Sequence, residues 1–237
     1  MKFYWFGDSW LAGEELQLSV PYDQRKQHTF AQIVSDHFAA DCVNLGENGL
    51  SPDIFPLRFK TTADQLTPND TVFFCLSSSH RTILLDEAGQ EQQIMPDYNS
   101  NPNRHPWTRE WYKYFDTRPQ RIYNFDRTVD LLYLWCQSLG VRCYFLNLFT
   151  TEPEAVVDIV PDSAWLIPRD QCAAQTILHT VDNDIGMLVV DDNPRLLTAD
   201  WMRQKELLDL YVRPGVMHPN LAGHRRIAQD LISRLNA

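Results

Sequence analysis

The chain has 237 residues, of which 44% are hydrophobic, 12% aromatic and 22% charged, and its formal net charge is −10. This composition excludes a disordered chain and fits one α/β domain, expected over residues 1–237. The acidity also argues against nucleic-acid binding, because that affinity rests on Lys and Arg side chains that neutralise phosphates.

The apolar segments and the cysteines indicate the compartment in which the protein acts. No stretch approaches the roughly 20 apolar residues of a membrane span, and the first apolar run, residues 3–6, is too short for a signal peptide. The five cysteines form no Cys-x-x-Cys pair and no zinc-like cluster, so we interpret them as buried free thiols. We therefore expect a cytoplasmic protein that does not act on membranes.

Short apolar runs alternate with amphipathic segments along the chain. In chain order, strands are predicted at residues 2–6, 42–45, 71–76, 141–148 and 186–190, and helices at 28–40, 52–66 with a break at Pro56, 121–139 and 220–235. Strands that alternate with helices predict a parallel sheet covered on both faces. Ligands of such sheets bind beyond the carboxyl ends of the strands.

An insertion at about residues 80–119 interrupts this alternation. It contains a possible hairpin turn in DEAGQEQQ, and then an aromatic group that includes Trp107 and Trp111. Long insertions in compact folds are usually functional or disordered, and the aromatic content disfavours disorder. We interpret the segment as an ordered cap over the site, although its rings could equally form a satellite core of their own.

Ser9 is the first candidate for catalysis. It follows the first predicted strand in the segment GDSWLAG, residues 7–13. A serine there projects from the carboxyl edge of the sheet, and Gly7 allows a tight turn. The pair Asp8-Ser9 also suits the start of a helix, so helix capping and nucleophilic catalysis both stay open.

His218 is the candidate base. It lies in the segment MHPNLAGHRR, residues 217–226, in a predicted loop before the last helix. A serine nucleophile needs a base within about 2.6 to 3.2 Å, and histidine suits because its ordinary pKa lies near neutrality. His224 competes for this role, but it lies inside the predicted helix, where a histidine more often packs or caps.

These two segments resemble the first and last sequence blocks of the SGNH/GDSL hydrolases. Gly-Asp-Ser with a glycine four residues after the serine is similar to the first block, and His218-Pro219-Asn220 with Gly223-His224 is similar to the last. The resemblance implies a flavodoxin-like three-layer α/β/α fold with a five-stranded parallel sheet. It also implies ester hydrolysis with Ser9 as the nucleophile and His218 as the base.

The same resemblance implies an oxyanion hole, which stabilises the charged intermediate. The segment NLGENG, residues 44–49, is similar to the family's second block, with Gly49 the better match for the oxyanion glycine and Gly46 the second. The family usually has an asparagine donor after the third strand, and Ser79 occupies that position here. Arg81 or the insertion are alternative donors.

The sequence also lacks the aspartate of the family's catalytic triad at its usual position. The family commonly places an aspartate three residues before the histidine, and this position is Gly215. The acid holds the imidazole in its correct tautomer. A backbone carbonyl near Gly215, or a carboxylate such as Asp209 or Asp191, could substitute for it.

Three functions follow from these residues. The first is hydrolysis of a small-molecule or carbohydrate ester, with Arg81, Trp107 and Trp111 facing the substrate. The second is an inactive domain that binds carbohydrate or protein through its aromatic insertion. The third is acyl transfer by the same residues to an acceptor other than water. No metal or cofactor is expected, because the acidic run Asp191-Asp192-Asn193 is typical of a turn.

Overall fold

The computed structural model describes residues 1–14, 16, 20–77, 82–85, 91–94, 118–148, 159–167, 173, 211–213 and 216–237. Within these ranges the chain forms eight strands: β1 (Lys2–Phe6), β2 (Asp41–Asn44), β3 (Thr71–Leu76), β4 (Thr82–Leu85), β5 (Glu91–Ile94), β6 (Arg142–Asn147), β7 (Tyr211–Arg213) and β8 (Val216–Pro219). Four of them make a parallel sheet in the order β2-β1-β3-β6. These are the first four strands predicted from the sequence.

Five α-helices lie in the same part of the chain: α1 (Ser9–Ala12), α2 (Phe30–His37), α3 (Phe55–Ala63), α4 (Arg118–Ser138) and α5 (Leu221–Leu235). The predicted break at Pro56 is wrong. Pro56 stands in the first turn of α3, where a missing backbone N–H costs nothing, and the preceding residues Pro52–Ile54 form a 3₁₀ turn. α2, α4 and α5 begin and end close to their predicted positions, whereas the one-turn helix α1 is not among the helices predicted from the sequence.

Side chains alternate between the two faces of the sheet and build two separate cores. Phe3 and Trp5 pack with α2 and α5 on one face, whereas Tyr4 and Phe6 pack with α3 and α4 on the other. On the first face the rings of Trp5 and Phe73 stack with their centroids 3.9 Å apart. The three-layer α/β/α arrangement is therefore confirmed.

The main sheet has four strands among the described residues. The predicted fifth strand, residues 186–190, lies outside the described residues and stays a prediction. Beside β6, however, Trp165 forms a parallel bridge with Phe145, and the Leu166 N–H donates to the Phe145 carbonyl at 2.9 Å. A single bridge thus occupies the position next to the fourth strand of the sheet.

Two antiparallel pairs stand apart from the main sheet. β4 and β5 form the hairpin predicted within the insertion, and β4 contacts the Pro52–Ile54 turn. β7 and β8 form the second pair. His218 lies in β8 rather than in the predicted loop, because pairing with β7 gives this backbone the hydrogen-bond partners of a strand.

The thiols of the described part of the chain are free. Cys75, Cys136 and Cys143 are buried as expected, whereas Cys42 is partly exposed and Cys172 lies outside the description. Among the described helices, none is both long and apolar enough to cross a bilayer.

Candidate active site

Ser9 begins a one-turn helix directly after the first strand of the sheet. The buried Asp8 is the N-cap of α1, and its carboxylate accepts the Trp10 N–H at 3.1 Å. The helix-capping interpretation is therefore correct for Asp8. Ser9 itself is buried at the carboxyl edge of the sheet, with 4% of the residue exposed.

The turn before Ser9 is held by close packing. A Cβ atom on Gly7 would meet the Leu11 side chain, and it would lie 3.0 Å from the Cβ of Cys75. The Gly7 carbonyl in turn accepts the Glu47 N–H at 3.0 Å. The turn needs glycine because neighbouring atoms approach it so closely.

Cys75 packs against this turn, and its thiol is unreactive. Burial raises the pKa of its thiol well above the usual range, and the negative charge of Asp8 raises that pKa further. A thiol held in its neutral form is a poor nucleophile. The Cys75 thiol therefore does not compete with Ser9 as a nucleophile.

The second sequence block packs directly against the Ser9 helix. A Cβ atom on Gly46 would meet the Leu11 Cβ, and it would lie 2.7 Å from the Ala12 nitrogen. Gly49 has a φ of +71°, in the left-handed region that favours glycine. The Glu47 carboxylate, between these two glycines, pairs with Arg58 at 2.9 and 3.1 Å.

The strand that contains His218 lies near the Ser9 helix at the level of the backbone. β8 contacts both α1 and α5. The side chain of His218 lies outside the described part of the structure. The topology therefore joins the first and last sequence blocks at the same edge of the sheet.

His224 has a structural role, as its position inside a helix predicts. Its ring is buried in α5, and its Nδ1 accepts the N–H of Phe30, the first residue of α2, at 3.3 Å. The two rings also stack with centroids 5.7 Å apart. An imidazole that caps a neighbouring helix in the core is not available as a base.

The other predicted site residues lie outside the described residues: Ser79, Arg81, Trp107, Trp111, Asp191, Asp209 and Gly215. Two further residues of the site region were not singled out from the sequence. The Ser77 hydroxyl donates to the Leu50 carbonyl at 2.8 Å, and the Asn44 side chain bonds to α1. Among the described residues, no cluster of His, Cys, Asp and Glu is placed to hold a metal ion.

No protein-family model and no curated protein matches the chain. Among solved structures, protein YxiM of Bacillus subtilis matches over 99% of this chain and 56% of its own, with 11% identity and a TM-score of 0.52. That likeness shows a shared fold.

Weaker likenesses, at TM-scores below 0.5, include proteins of the class that the sequence blocks resemble. A member of the lipolytic G-D-S-L family from Veillonella parvula is 16% identical, with 98% and 97% of the two chains covered and a TM-score of 0.45. A catalytic mutant of Axe2, an acetylxylan esterase from Geobacillus stearothermophilus, is 14% identical, with 100% and 94% covered and a TM-score of 0.48.

Proposed function

We propose that this protein is a serine-dependent hydrolase of ester bonds, with Ser9 as the nucleophile and His218 as the base. One observation carries the proposal. The helix that begins at Ser9 follows the first strand at the carboxyl edge of the sheet, and the strand that contains His218 contacts that helix. Sequence blocks separated by most of the chain thus meet where ligands of parallel sheets bind.

The chemistry follows the pattern of serine hydrolases. Ser9 Oγ attacks the ester carbonyl carbon while His218 takes its proton, and the tetrahedral oxyanion accepts the N–H groups of Ser9 and Gly49, with the Ser79 hydroxyl as a third donor. Collapse of this intermediate releases the alcohol, which takes the proton from His218. Water, deprotonated by His218, then attacks the acyl-enzyme and releases the acid.

This scheme requires a partner for the His218 ring, and it assigns the insertion as a cover over the substrate. The His218 ring needs a partner that fixes its tautomer, and Asp209, Asp191 or a carbonyl near Gly215 supplies it. The insertion covers the substrate, with Arg81, Trp107 and Trp111 facing it. Support for this cap is that β4 contacts Pro52–Ile54, which follows closely after Gly49.

Ester hydrolysis by matched serine variants tests the proposal. We expect the wild type to hydrolyse p-nitrophenyl acetate or acetylated xylose, and Ser9→Ala to lower kcat by on the order of 10⁴-fold or more. Ser35→Ala is the control, because the buried Ser35 hydroxyl bonds to Ala31 and Trp5 in the core and its loss affects stability alone. We expect this control to keep the kcat of the wild type.

Other results would select the alternatives. Activity that persists in Ser9→Ala excludes Ser9 as the nucleophile. A wild type that binds xylo-oligosaccharide in calorimetry but hydrolyses no ester is a binding domain. Faster turnover when an alcohol acceptor is added, with formation of the new ester, identifies an acyltransferase.

A further inference from the structure

The side chain of Asn44 joins three segments around the Ser9 helix. Asn44 is the last residue of β2, and its Nδ2 donates to the Leu11 carbonyl at 2.8 Å and to the Thr29 hydroxyl at 3.2 Å. Its Oδ1 accepts the Gly46 N–H at 2.9 Å. Both amide hydrogens and the carbonyl oxygen are therefore used.

The bonding directions around Asn44 are consistent with one another. The Thr29 hydroxyl donates its own hydrogen to the Lys26 carbonyl at 2.9 Å, so toward Asn44 it acts as an acceptor. The Leu11 carbonyl can only accept. Asn44 must therefore present two donors on one side and an acceptor on the other, which an amide does and a carboxylate does not.

The Ser9 helix depends on such external support. α1 has four residues, and a single helical turn fixes several dihedral angles in exchange for very few internal hydrogen bonds. Leu11 lies in that turn, where helix carbonyls lack partners within the helix. The Asn44 amide satisfies one of them from 33 residues away along the chain.

The same amide fixes the loop of the second sequence block. Gly46, whose N–H bonds to Asn44, packs against the backbone of Leu11 and Ala12. Ser9 lies two residues before Leu11, and Gly49 lies three residues after Gly46. One side chain thus sets the distance between the nucleophile's helix and the loop that contains the oxyanion glycine.

We propose that Asn44 is a positioning residue for catalysis, which holds the Ser9 helix and the 46–49 loop in register. This inference rests on the proposed function. A displacement of about 1 Å between reacting groups can cost on the order of 10²-fold in rate. Loss of the amide should therefore reduce the chemical step much more than substrate binding.

Two variants of Asn44 test this inference. Asn44→Ala removes all three bonds, and Asn44→Asp keeps the shape and the acceptor for Gly46 but loses both donors. We expect each to lower kcat on p-nitrophenyl acetate by about tenfold or more, with KM changed by less than about twofold. Inhibition by phenylboronic acid, which mimics the tetrahedral intermediate, should weaken by a similar factor.

The chain offers a matched control at the opposite edge of the sheet. The buried Asp70, like Asn44, makes three side-chain hydrogen bonds, and it accepts all of them, from the Lys2 N–H at 2.7 Å, the Thr67 N–H at 2.9 Å and the Thr67 hydroxyl at 2.8 Å. We expect Asp70→Ala to lower the melting temperature at least as much as Asn44→Ala, yet to keep the wild-type kcat and boronate affinity.

The remaining outcomes overturn the inference in distinguishable ways. Unchanged kcat in both Asn44 variants, a loss of kcat equal to that of Asp70→Ala, or failure of both variants to fold would make Asn44 a structural residue only. If the wild type itself hydrolyses no ester, the proposed function fails and this inference fails with it.

Discussion

Two histidines, six positions apart in the sequence, have different environments. His224 is buried against Phe30, and its Nδ1 must be unprotonated to accept the Phe30 N–H. A proton on that nitrogen would break the bond and place a positive charge at the positive end of the α2 dipole. His218 belongs to a short strand beside the Ser9 helix.

Replacement of each histidine separates catalysis from stability. We expect His224→Phe, which keeps a ring against Phe30 but removes the acceptor, to lower the free energy of unfolding by about 1 to 3 kcal/mol. The kcat of the folded variant should be unchanged, whereas His218→Gln should be nearly inactive and remain folded. Urea denaturation and ester hydrolysis measure the two effects. Inactivity of a folded His224→Phe would contradict the assignment of the base.

We expect the geometry of the site to depend on the contact between the Ser9 helix and the second sequence block. Leu11 and Ala12 at the end of α1 leave no room for a side chain at Gly46. Any residue larger than glycine there must push the loop and the helix apart. The shift would also strain the bonds that Asn44 makes to both.

Two alanine substitutions measure this dependence. We expect Gly46→Ala to lower kcat by at least about tenfold, because α1 or the loop must move. Gly140→Ala is the control, since Gly140 has a φ of +66° and no atom within 4 Å of an added Cβ. It should cost about 1 kcal/mol of stability from backbone strain and leave kcat unchanged. Equal kcat for the two variants would show that the close approach at Gly46 has no catalytic consequence.

Elements with a strong local signal could be predicted from the sequence. β3 coincides with its prediction because residues 72–76 are continuously apolar, Thr71 also favours a strand, and all six residues are buried. The Pro56 break was wrong because proline also suits the first turn of a helix. Likewise, the strand at His218 depends on pairing with β7, and its own residues carry no periodic pattern that shows this.

The alternation of strands and helices along the chain is enough to predict a sheet covered on both faces. It is also enough to place Ser9 at the carboxyl edge, since every parallel strand ends there. The role of Asn44 could not be predicted. Its bonds to Leu11 and Thr29 join segments that are distant in sequence, and no spacing rule links them.

A fluorophosphonate probe, which reacts covalently with an activated serine, tests whether Ser9 is a reactive nucleophile. Intact-mass spectrometry and peptide mapping of the treated wild type should show one adduct, located on Ser9. Ser9→Ala should show none, and Ser35→Ala should be labelled like the wild type. An adduct at another residue, labelling that survives in Ser9→Ala, or no labelling of the folded wild type would show that Ser9 is not the reactive nucleophile.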